Sequence, residues 1–358
     1  MVLKNMKKST KSNIITYGMV IVAFAIMQIV LSGGGVSNLI KGLLVPLCTY
    51  SILAVSLNLT VGILGELSLG HAGFMCIGAF VSASFTTIMA PTIENDILRF
   101  VIAIVLAAVV SGLFGVLIGI PVLRLKGDYL AIVTLAFGEI IKNVVNVIYL
   151  GVDSKGLHFS LKSKAALNLE ADGRVIINGA TGITGIKTTS TFVIGVILIL
   201  ITLFIVLNLI NSRSGRAIMS IRDNRIAAES IGINITKYKM LAFSISAMLA
   251  GVGGALYAHN ISTLTATSKN FGYNMSIMIL VFVVLGGIGN IRGSIIAAVI
   301  LTLLPELLRG LNDYRMLIYA ILLILMMLFT SSPMGKNFRE KYSLKRFIDR
   351  KKEQKGDA

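Results

Sequence analysis

The sequence predicts an all-α protein, a polytopic bundle of about ten transmembrane helices. Of its 358 residues, 55% are hydrophobic and only 14% are charged, whereas a soluble domain carries about 25% charged residues. The mean hydropathy is +0.86. A soluble chain of this length cannot hide so much apolar surface in one core, so we expect lipid to cover much of it.

Ten apolar runs meet or approach the length of about 20 residues that a helix needs to cross a bilayer. Gly70, His71 and Gly73 weaken the third run, and the last three runs are short. Eight spans with re-entrant third and ninth segments are the alternative, since irregular backbone at membrane depth must be covered by protein or water. The runs are 14–31, 43–63, 67–89, 97–120, 129–150, 192–210, 240–258, 275–288, 295–308 and 316–330.

The beginning of the chain resembles a secretory signal, because lysines precede the apolar run 14–31. That run is longer than a usual signal core, and no A-x-A cleavage site follows it. We therefore expect an uncleaved first span.

Positive charges predict an orientation with both chain ends in the cytoplasm. With ten spans, 22 of the 33 Lys and Arg residues fall in cytoplasmic segments, 10 fall outside and Lys142 lies within a span, as the positive-inside rule requires. The outer loop at 151–190 holds five of the outside cations, and long loops count for less in this rule. The cytoplasmic loop at 211–239 holds six cations.

These assignments divide the chain into a basic cytoplasmic N-terminus, a transmembrane region and a basic cytoplasmic tail, at 1–13, 14–332 and 333–358. In the outer loop, Asp172-Gly173 stands between Leu169 and the apolar residues Val175-Ile176-Ile177. A D-G pair between apolar residues is typical of a small β-hairpin.

The net charge of +17 does not indicate a nucleic-acid-binding protein. The basic residues flank apolar runs, where they meet anionic membrane lipid. They are not interleaved with aromatic residues on a globular face.

Motifs typical of enzymes fail on inspection. Gly182 to Thr188 resembles a P-loop, but Ile186 occupies the position where a glycine must precede the lysine. Gly251-Val-Gly253 and Gly287-Ile-Gly289 lie in or beside predicted spans, where close helix packing explains them.

Metal and redox chemistry are not indicated either. The three histidines, His71, His158 and His259, are too few and too scattered for a metal site. Cys48 and Cys76 lie inside apolar runs and are expected to be small buried hydrophobes. The sequence predicts no catalytic residue, no cofactor and no metal.

Small residues recur at four-residue spacing in three stripes. This pattern lets helix backbones approach closely in lipid, although a helix-lined pore would use the same spacing. The stripes are Ser111, Gly115, Gly119; Ala247, Gly251, Ala255; and Gly286, Asn290, Ser294.

Ionisable residues in or beside the spans are candidates for a translocation path, because each costs about 2.5–3.5 kcal/mol to place at the centre of a span. The alternative is an interhelical hydrogen bond or an interfacial position. Glu139 and Lys142 are three residues apart on one helical face and can pair. The candidates are Glu66, His71, Asp128 and Glu139.

The cytoplasmic segment 215–232 reads GRAIMSIRDNRIAAESIG, which predicts one or two short helices. Asp223 or Asn224 can cap the second helix. A cationic helix lying on the membrane and a solvated loop are the alternatives to a specific role.

Four long motifs carry a family resemblance, namely LNLTVGILGELSLGHAGF at 57–74, LRLKGDYLAIVTLAFGEI at 123–140, the stretch from GRAIMSIRDNRIAAESIG to ALYA at 215–258, and VLGGIGNIRGSIIAAVI at 284–300. The chain resembles the permease subunits of branched-chain amino acid ABC importers, of the LivM type. The resemblance extends over most of the chain.

The resemblance implies a partner set and a bacterial plasma-membrane location. A paralogous, LivH-like permease subunit pairs with such a chain in the membrane, two ATP-binding subunits dock below, and an extracytoplasmic binding protein delivers the solute. It also implies that segment 215–232 receives movement from the ATPase, with the candidate coupling residues Gly215, Arg216, Arg222, Asp223, Arg225, Ala227, Ala228, Glu229 and Gly232.

Two departures from the family pattern are visible. ABC importers often carry Glu-Ala-Ala-x-x-x-Gly in the coupling segment, and here Ile226 replaces the glutamate. After Gly289, where relatives often have a Gly-Pro pair, this chain has Arg292-Gly293-Ser294.

The resemblance implies leucine, isoleucine or valine as the transported solute. Urea or short amides, and nucleosides or sugars, are the alternatives within the superfamily. An ion-coupled secondary transporter is a more distant alternative, which inverted repeats with broken helices at matching positions would favour.

Overall fold

The computed structural model describes residues 8–33, 38–125, 127–171, 173–308, 310 and 314–331. The chain divides into two compact units, Met1–Val299 and Ile300–Ala358. The predicted basic tail at 333–358 and the first seven residues lie outside the described ranges.

The described residues are mostly helical, which confirms the predicted helical class. The helices are α1 Lys8–Ser32, α2 Asn38–Asn58, α3 His71–Ile88, α4 Asp96–Val122, α5 Asp128–Val147, α6 Phe192–Asn211, α7 Arg213–Asp223, α8 Arg225–Ser230, α9 Ile235–Ala258, α10 Ser268–Phe271, α11 Tyr273–Gly286, α12 Ile291–Leu307 and α13 Arg315–Ser331.

Within the described ranges, eight helical segments are long and apolar enough to cross a membrane. The third is a regular helix of 18 residues, although it begins at His71 and not at Leu67. The ninth and tenth predicted runs form helices of 17 residues each. The eight segments are Asn13–Ser32, Ile40–Leu64, His71–Ile88, Asp96–Val122, Asp128–Val147, Phe192–Asn211, Ile235–Ala258 and Ser268–Gly286.

Small residues let the central helices α3, α4 and α9 approach closely. A Cβ on Gly115 of α4 would lie 2.7 Å from Cβ of Ala247 on α9, and a Cβ on Gly251 would lie 2.6 Å from Cβ of Ser111. The first two predicted stripes therefore face each other in the packed core, as small-xxx-small faces do in membrane proteins.

The third predicted stripe is not a helix face. Gly286 ends α11, Asn290 lies in the following turn, and Ser294 belongs to α12. The Asn290 side chain donates to Gly286 O at 3.3 Å, and Ser294 Oγ donates to Asn290 O at 3.2 Å. Small residues are needed here because the two helices meet in a tight turn.

The connection between α5 and α6 contains four short strands, and a fifth follows α9. The strands are β1 Tyr149–Asp153, β2 Gly156–Ser160, β3 Arg174–Asn178, β4 Ile183–Thr184 and β5 Thr263–Leu264. One small antiparallel sheet has the strand order β2–β1–β3, and the other pairs β4 with β5.

The hairpin predicted around Asp172-Gly173 is wrong. Val175 to Ile177 do form a strand, but that strand pairs with β1, and the hairpin turn lies at Ser154-Lys155 between β1 and β2. Asp172 itself lies outside the described residues. The D-G signal is local, whereas the pairing partner of β3 precedes it by more than 20 residues.

Asp153 orders the β1–β2 turn. Its Oδ1 accepts the Lys155 N–H at 2.9 Å and lies 3.0 Å from Nε2 of His158, while Oδ2 accepts the Glu170 N–H at 3.3 Å. Desolvation raises the pKa of Asp153, but these hydrogen bonds outweigh it and hold the pKa below its ordinary value. His158 of β2 thus contacts the carboxylate that orders this turn.

Candidate functional site

The second and third spans form one interrupted element at the centre of the candidate site. After α2 the chain makes a π-helical turn, Leu59–Leu64, which ends at Gly65 in the left-handed conformation with φ +81°. Residues 65–70 are non-helical, and α3 then begins at His71. Isolated π turns are frequent at functional sites.

Polar side chains from neighbouring helices satisfy the interrupted segment. The Leu69 N–H donates to Oγ1 of Thr134 on α5 at 3.0 Å, and the Ala72 N–H donates to Oγ of Ser276 on α11 at 3.1 Å. Ser246 of α9 donates to the Ser56 carbonyl at 2.6 Å. These bonds matter because unpaired backbone groups at membrane depth cost several kcal/mol.

His71 lies inside this network. Its side chain is 2% exposed, and Nε2 shares a 2.7 Å hydrogen bond with Oγ of Ser56 on α2. The histidine therefore joins the two halves of the interrupted element across the break.

Asn58 joins the interrupted element to the turn between α11 and α12. Its Nδ2 donates to Ser294 Oγ at 2.8 Å, and its Oδ1 accepts the Gly289 N–H at 2.9 Å. A Cβ on Gly62 would overlap the backbone of Gly289. The π turn and the α11–α12 turn are thus in direct backbone contact, which only glycine permits.

Glu66, a candidate for the translocation path, pairs with Lys239 in the second turn of α9. The side chains are 15% and 5% exposed, respectively. The ion pair ties the non-helical segment to α9. Removing one partner of a buried pair leaves the other charge uncompensated, which is strongly destabilising.

The segment 215–232 forms two short helices, α7 and α8, as the sequence predicts. Ser212 caps α7 by accepting the Gly215 N–H at 3.1 Å, and Asn224 caps α8 by accepting the Ala227 N–H at 3.0 Å. Gly232 follows α8 with φ +85°, and its N–H donates to Glu229 O at 3.0 Å. A left-handed glycine is a common helix end.

Arg222 connects α7 to the interrupted element. Its Nη1 donates to the carbonyl of Gly62 in the π turn at 3.0 Å, and Nη2 lies 2.8 Å from Oδ1 of Asp223. The stem of the side chain lies over Gly65, where a Cβ would be 2.5 Å from Cγ of Arg222. A residue of the predicted coupling segment therefore contacts the membrane-embedded break directly.

The other arginines of the segment differ in their contacts. Arg216 donates from Nη1 to Asn211 O at 3.2 Å and so satisfies a carbonyl at the end of α6. Arg225 and Asp223 are exposed. Gly215 is buried against the last carbonyls of α6, where a side chain would not fit.

The two alanines of α8 lie on opposite sides. Ala227 is exposed, whereas Ala228 is 1% exposed and packs with Ile221 and Ile235. Ala228 therefore packs α8 against its own chain. The sequence pattern could not separate the alanines without the phase of the helix.

Two apolar residues of this segment, which the sequence did not predict as contact residues, are strongly exposed. Ile226 is 82% exposed and Ile231 is 75% exposed. Arg225, Ala227 and Glu229 of α8 are exposed as well. The signal of the two apolar residues in the sequence is one isoleucine inside a polar, alanine-rich helix of six residues and another directly after it.

Glu139 of α5 lies beside a second break in a helix, the one between α10 and α11. Its carboxylate forms an ion pair with Lys142, and Oε1 accepts the Tyr273 N–H at 2.7 Å. Lys142 Nζ also donates to Oγ of Ser268 at 2.9 Å. Because Gly272 precedes α11 and has no side chain, Glu139 supplies the cap and the negative charge that a helix N-terminus favours.

Asp128 is exposed in the first turn of α5, where the helix N-terminus stabilises a carboxylate. It lies eleven residues before Glu139 on the same helix, so the structure does not bring these two candidates together. Among the described residues, no group of three His, Cys, Asp or Glu side chains is arranged to hold a metal.

Comparisons with known proteins identify the family of this chain. The family described as branched-chain amino acid transport system / permease component matches residues 39–329. The chain belongs to this family. No solved structure matches it.

Individual proteins similar to this permease are branched-chain amino acid permeases as well. It is 34% identical to the high-affinity branched-chain amino acid transport system permease protein LivM of Salmonella typhimurium, over 83% of this chain and 70% of that protein. Identity to LivM of Escherichia coli is 32% with the same two coverages. LivH of Salmonella typhimurium is 23% identical over 82% of this chain and 93% of its own length.

The resemblance that the four sequence motifs carry is thereby confirmed, and the chain is a polytopic helical membrane permease. The sequence predicted one or two helices where α7 and α8 lie, a cap at Asp223 or Asn224, of which Asn224 is the one that forms, and the Glu139–Lys142 pair. It missed the contact of Arg222 with Gly62 and the pairing of Glu66 with Lys239, because both join residues more than 150 positions apart.

Proposed function

We propose that this permease is the LivM-type subunit of an ATP-binding-cassette importer that moves leucine, isoleucine or valine across a bacterial plasma membrane. The observation that carries the proposal is the bond from Arg222 to Gly62. It joins an exposed, capped helix pair to the membrane-embedded interruption between α2 and α3. An importer driven by a separate ATPase needs such a connection.

The proposal includes the partners that the sequence resemblance implies. A paralogous, LivH-like permease subunit completes the membrane part, two ATP-binding subunits hydrolyse ATP, and an extracytoplasmic binding protein delivers the solute. This chain then contributes no catalytic residue, and membrane lipid covers its apolar outer faces.

The exposed face of α8 is the proposed contact with an ATP-binding subunit. Ile226 and Ile231 supply apolar anchors, and Arg225 and Glu229 supply charges at the rim. Burying an isoleucine side chain contributes about 1.5–3 kcal/mol. Ile226, which stands where relatives often have a glutamate, then makes an apolar contact in place of a charged one.

This face is tested by co-purification of the ATP-binding subunits. Ile226→Asp should lose the partner, because a carboxylate would be buried in an apolar pocket. Thr236→Asp, an exposed position in the first turn of α9, is the matched control. Retention of the partner by Ile226→Asp would show that α8 is not the docking helix.

The proposed orientation places α7, α8 and both chain ends in the cytoplasm and the sheets outside. Single cysteines at Ser220 and Ser160, in a background without Cys48 and Cys76, test it with an impermeant thiol reagent. We expect position 160 to react in intact cells. Reaction of position 220 but not of position 160 would show that the orientation is the opposite of the one proposed.

The substrate is tested by reconstituting the permease pair with its ATPases and binding protein in vesicles. Labelled leucine should enter with ATP consumption, and labelled urea and a labelled nucleoside should not. Uptake of urea or of a nucleoside instead would show that the permease transports one of those alternative solutes. Leucine uptake driven by an ion gradient without ATP would establish a secondary transporter.

A further inference from the structure

The outward side of α4 shows what a lipid-facing surface of this permease looks like. Every exposed side chain from position 97 to position 120 is apolar, and Leu113 and Leu117 are 63% and 65% exposed. Hydrocarbon tails accept such a surface without cost, because they are as apolar as leucine itself.

The surface formed by α5, α10 and α11 is different. Asn143, Ser268, Tyr273 and Asn274 are exposed there, and the side chain of Glu139 is 25% exposed. All lie within helical segments long enough to span a membrane. Polar and charged groups within membrane spans usually face a bundle interior or a water-filled cavity.

The Glu139–Lys142 pair holds this polar face together. The carboxylate accepts the Tyr273 N–H and the ammonium donates to Ser268, so the pair spans the break between α10 and α11. Asn143 is one helical turn beyond Glu139 on α5, on the same side. A Cβ at Gly272 would lie 2.9 Å from Oε1 of Glu139, so no side chain at position 272 covers the carboxylate.

Exposed apolar residues adjoin the polar groups. Ile140 follows Glu139 and is 57% exposed, and Ile277 lies one turn after Tyr273 and is 42% exposed. The face therefore offers a partly exposed carboxylate, amide groups and branched aliphatic side chains, while the Lys142 ammonium behind the carboxylate is 10% exposed. A small zwitterion with an aliphatic side chain matches this set with its ammonium group, its hydrogen-bonding atoms and its apolar part.

We infer that the face around Glu139, formed by Asn143, Ser268, Tyr273, Asn274 and the Glu139–Lys142 pair, lines a water-filled path for a small aliphatic zwitterion. The inference rests on the proposed function. The second permease subunit closes the path on its other side. Glu139 acts here as a positioning residue, because its carboxylate holds the start of α11 at the path.

Cysteine accessibility tests the inference in the assembled complex. Single cysteines replace Asn143 and Asn274 in proteoliposomes, and Leu113→Cys on α4, which is also an exposed position, is the control. Native Cys48 and Cys76 are 3% and 0% exposed, so they can stay if their removal lowers the yield. The probe is a charged, membrane-impermeant methanethiosulfonate added to both sides.

Positions 143 and 274 should react at least about tenfold faster than position 113, because the reactive thiolate forms in water and not in hydrocarbon. Leucine supplied with its binding protein should slow the reaction. Reaction at the rate of position 113 in a complex that transports leucine would overturn the inference, since the face would then be dry. Fast reaction in a complex that transports another solute would reject the proposed substrate and keep the path.

Discussion

Replacing Arg222 by methionine tests whether α7 moves the interrupted helix. Methionine keeps an unbranched stem over Gly65 but removes the guanidinium that donates to Gly62 O at 3.0 Å. The bond to Asp223 is lost as well, but that pair is largely solvated, with side chains 37% and 66% exposed, and such pairs contribute little.

The expected magnitude follows from the bond to Gly62. A hydrogen bond from a charged donor contributes about 1.5–3 kcal/mol. Because the Arg222 side chain is 37% exposed, we take the lower end, about 1.5 kcal/mol. If the bond forms in one transport state and not in the other, its loss shifts their equilibrium about tenfold.

The assay measures leucine uptake and ATP hydrolysis in the same proteoliposomes. We expect Arg222→Met to retain the ATP-binding subunits while solute moved per ATP falls about tenfold. Lys237→Met removes one exposed cation from the same region and should leave the ratio unchanged. A normal ratio in Arg222→Met would refute the reasoning, because the contact would then carry no motion.

Three further variants test the polar contacts. Glu66→Gln leaves Lys239 buried without its partner, so protein yield should fall, and adding Lys239→Met should partly restore it; equal yields of both single and double variants would contradict a buried pair. Glu139→Gln keeps the acceptor for the Tyr273 N–H but leaves Lys142, whose side chain is 10% exposed, without its charged partner. Yield should therefore fall and be partly restored by adding Lys142→Met, whereas leucine uptake per inserted permease should stay reduced in both variants; normal uptake per inserted permease would remove Glu139 from the transport step. The pKa of Asp153 is lowered in the folded protein, so its ionised carboxylate stabilises the β1–β2 turn at any pH above its ordinary pKa of about 3.9. That stability should be lost as the pH falls through the lower pKa of the folded state. The strand amides should therefore exchange hydrogen faster in Asp153→Asn than in the native protein at pH 6, and at equal rates at low pH. A difference in exchange rate that does not change with pH would show that the carboxylate is not its cause.

Hydropathy was sufficient to find the long helices, because lipid requires each span to be apolar along most of its length. It was not sufficient to place their ends. Predicted run 67–89 begins four residues before α3, since Leu67 and Leu69 are apolar but their backbone is non-helical. The Leu69 N–H instead uses a side chain of α5, a partner that no local pattern contains.

The candidate site divides in the same way between local and distant contacts. Glu139 and Lys142 were paired from sequence because they are three residues apart on a helix. Lys239 was counted only as a cytoplasmic cation, although α9 begins at Ile235 and carries it into the bundle beside Glu66. The role of Ala228 depends on helix phase, which a helix of six residues does not reveal by periodicity.

The contacts at the two breaks converge on α11. Its end is held near the π turn, where Asn58 accepts the Gly289 N–H and Gly62 meets Gly289. Its start is held by Glu139, which accepts the Tyr273 N–H. A helix of 14 residues is about 21 Å long, and these contacts hold it near both ends. In the proposed mechanism, displacement of the π turn by Arg222 reaches Tyr273 through α11, which connects the proposed coupling segment to the polar face around Glu139.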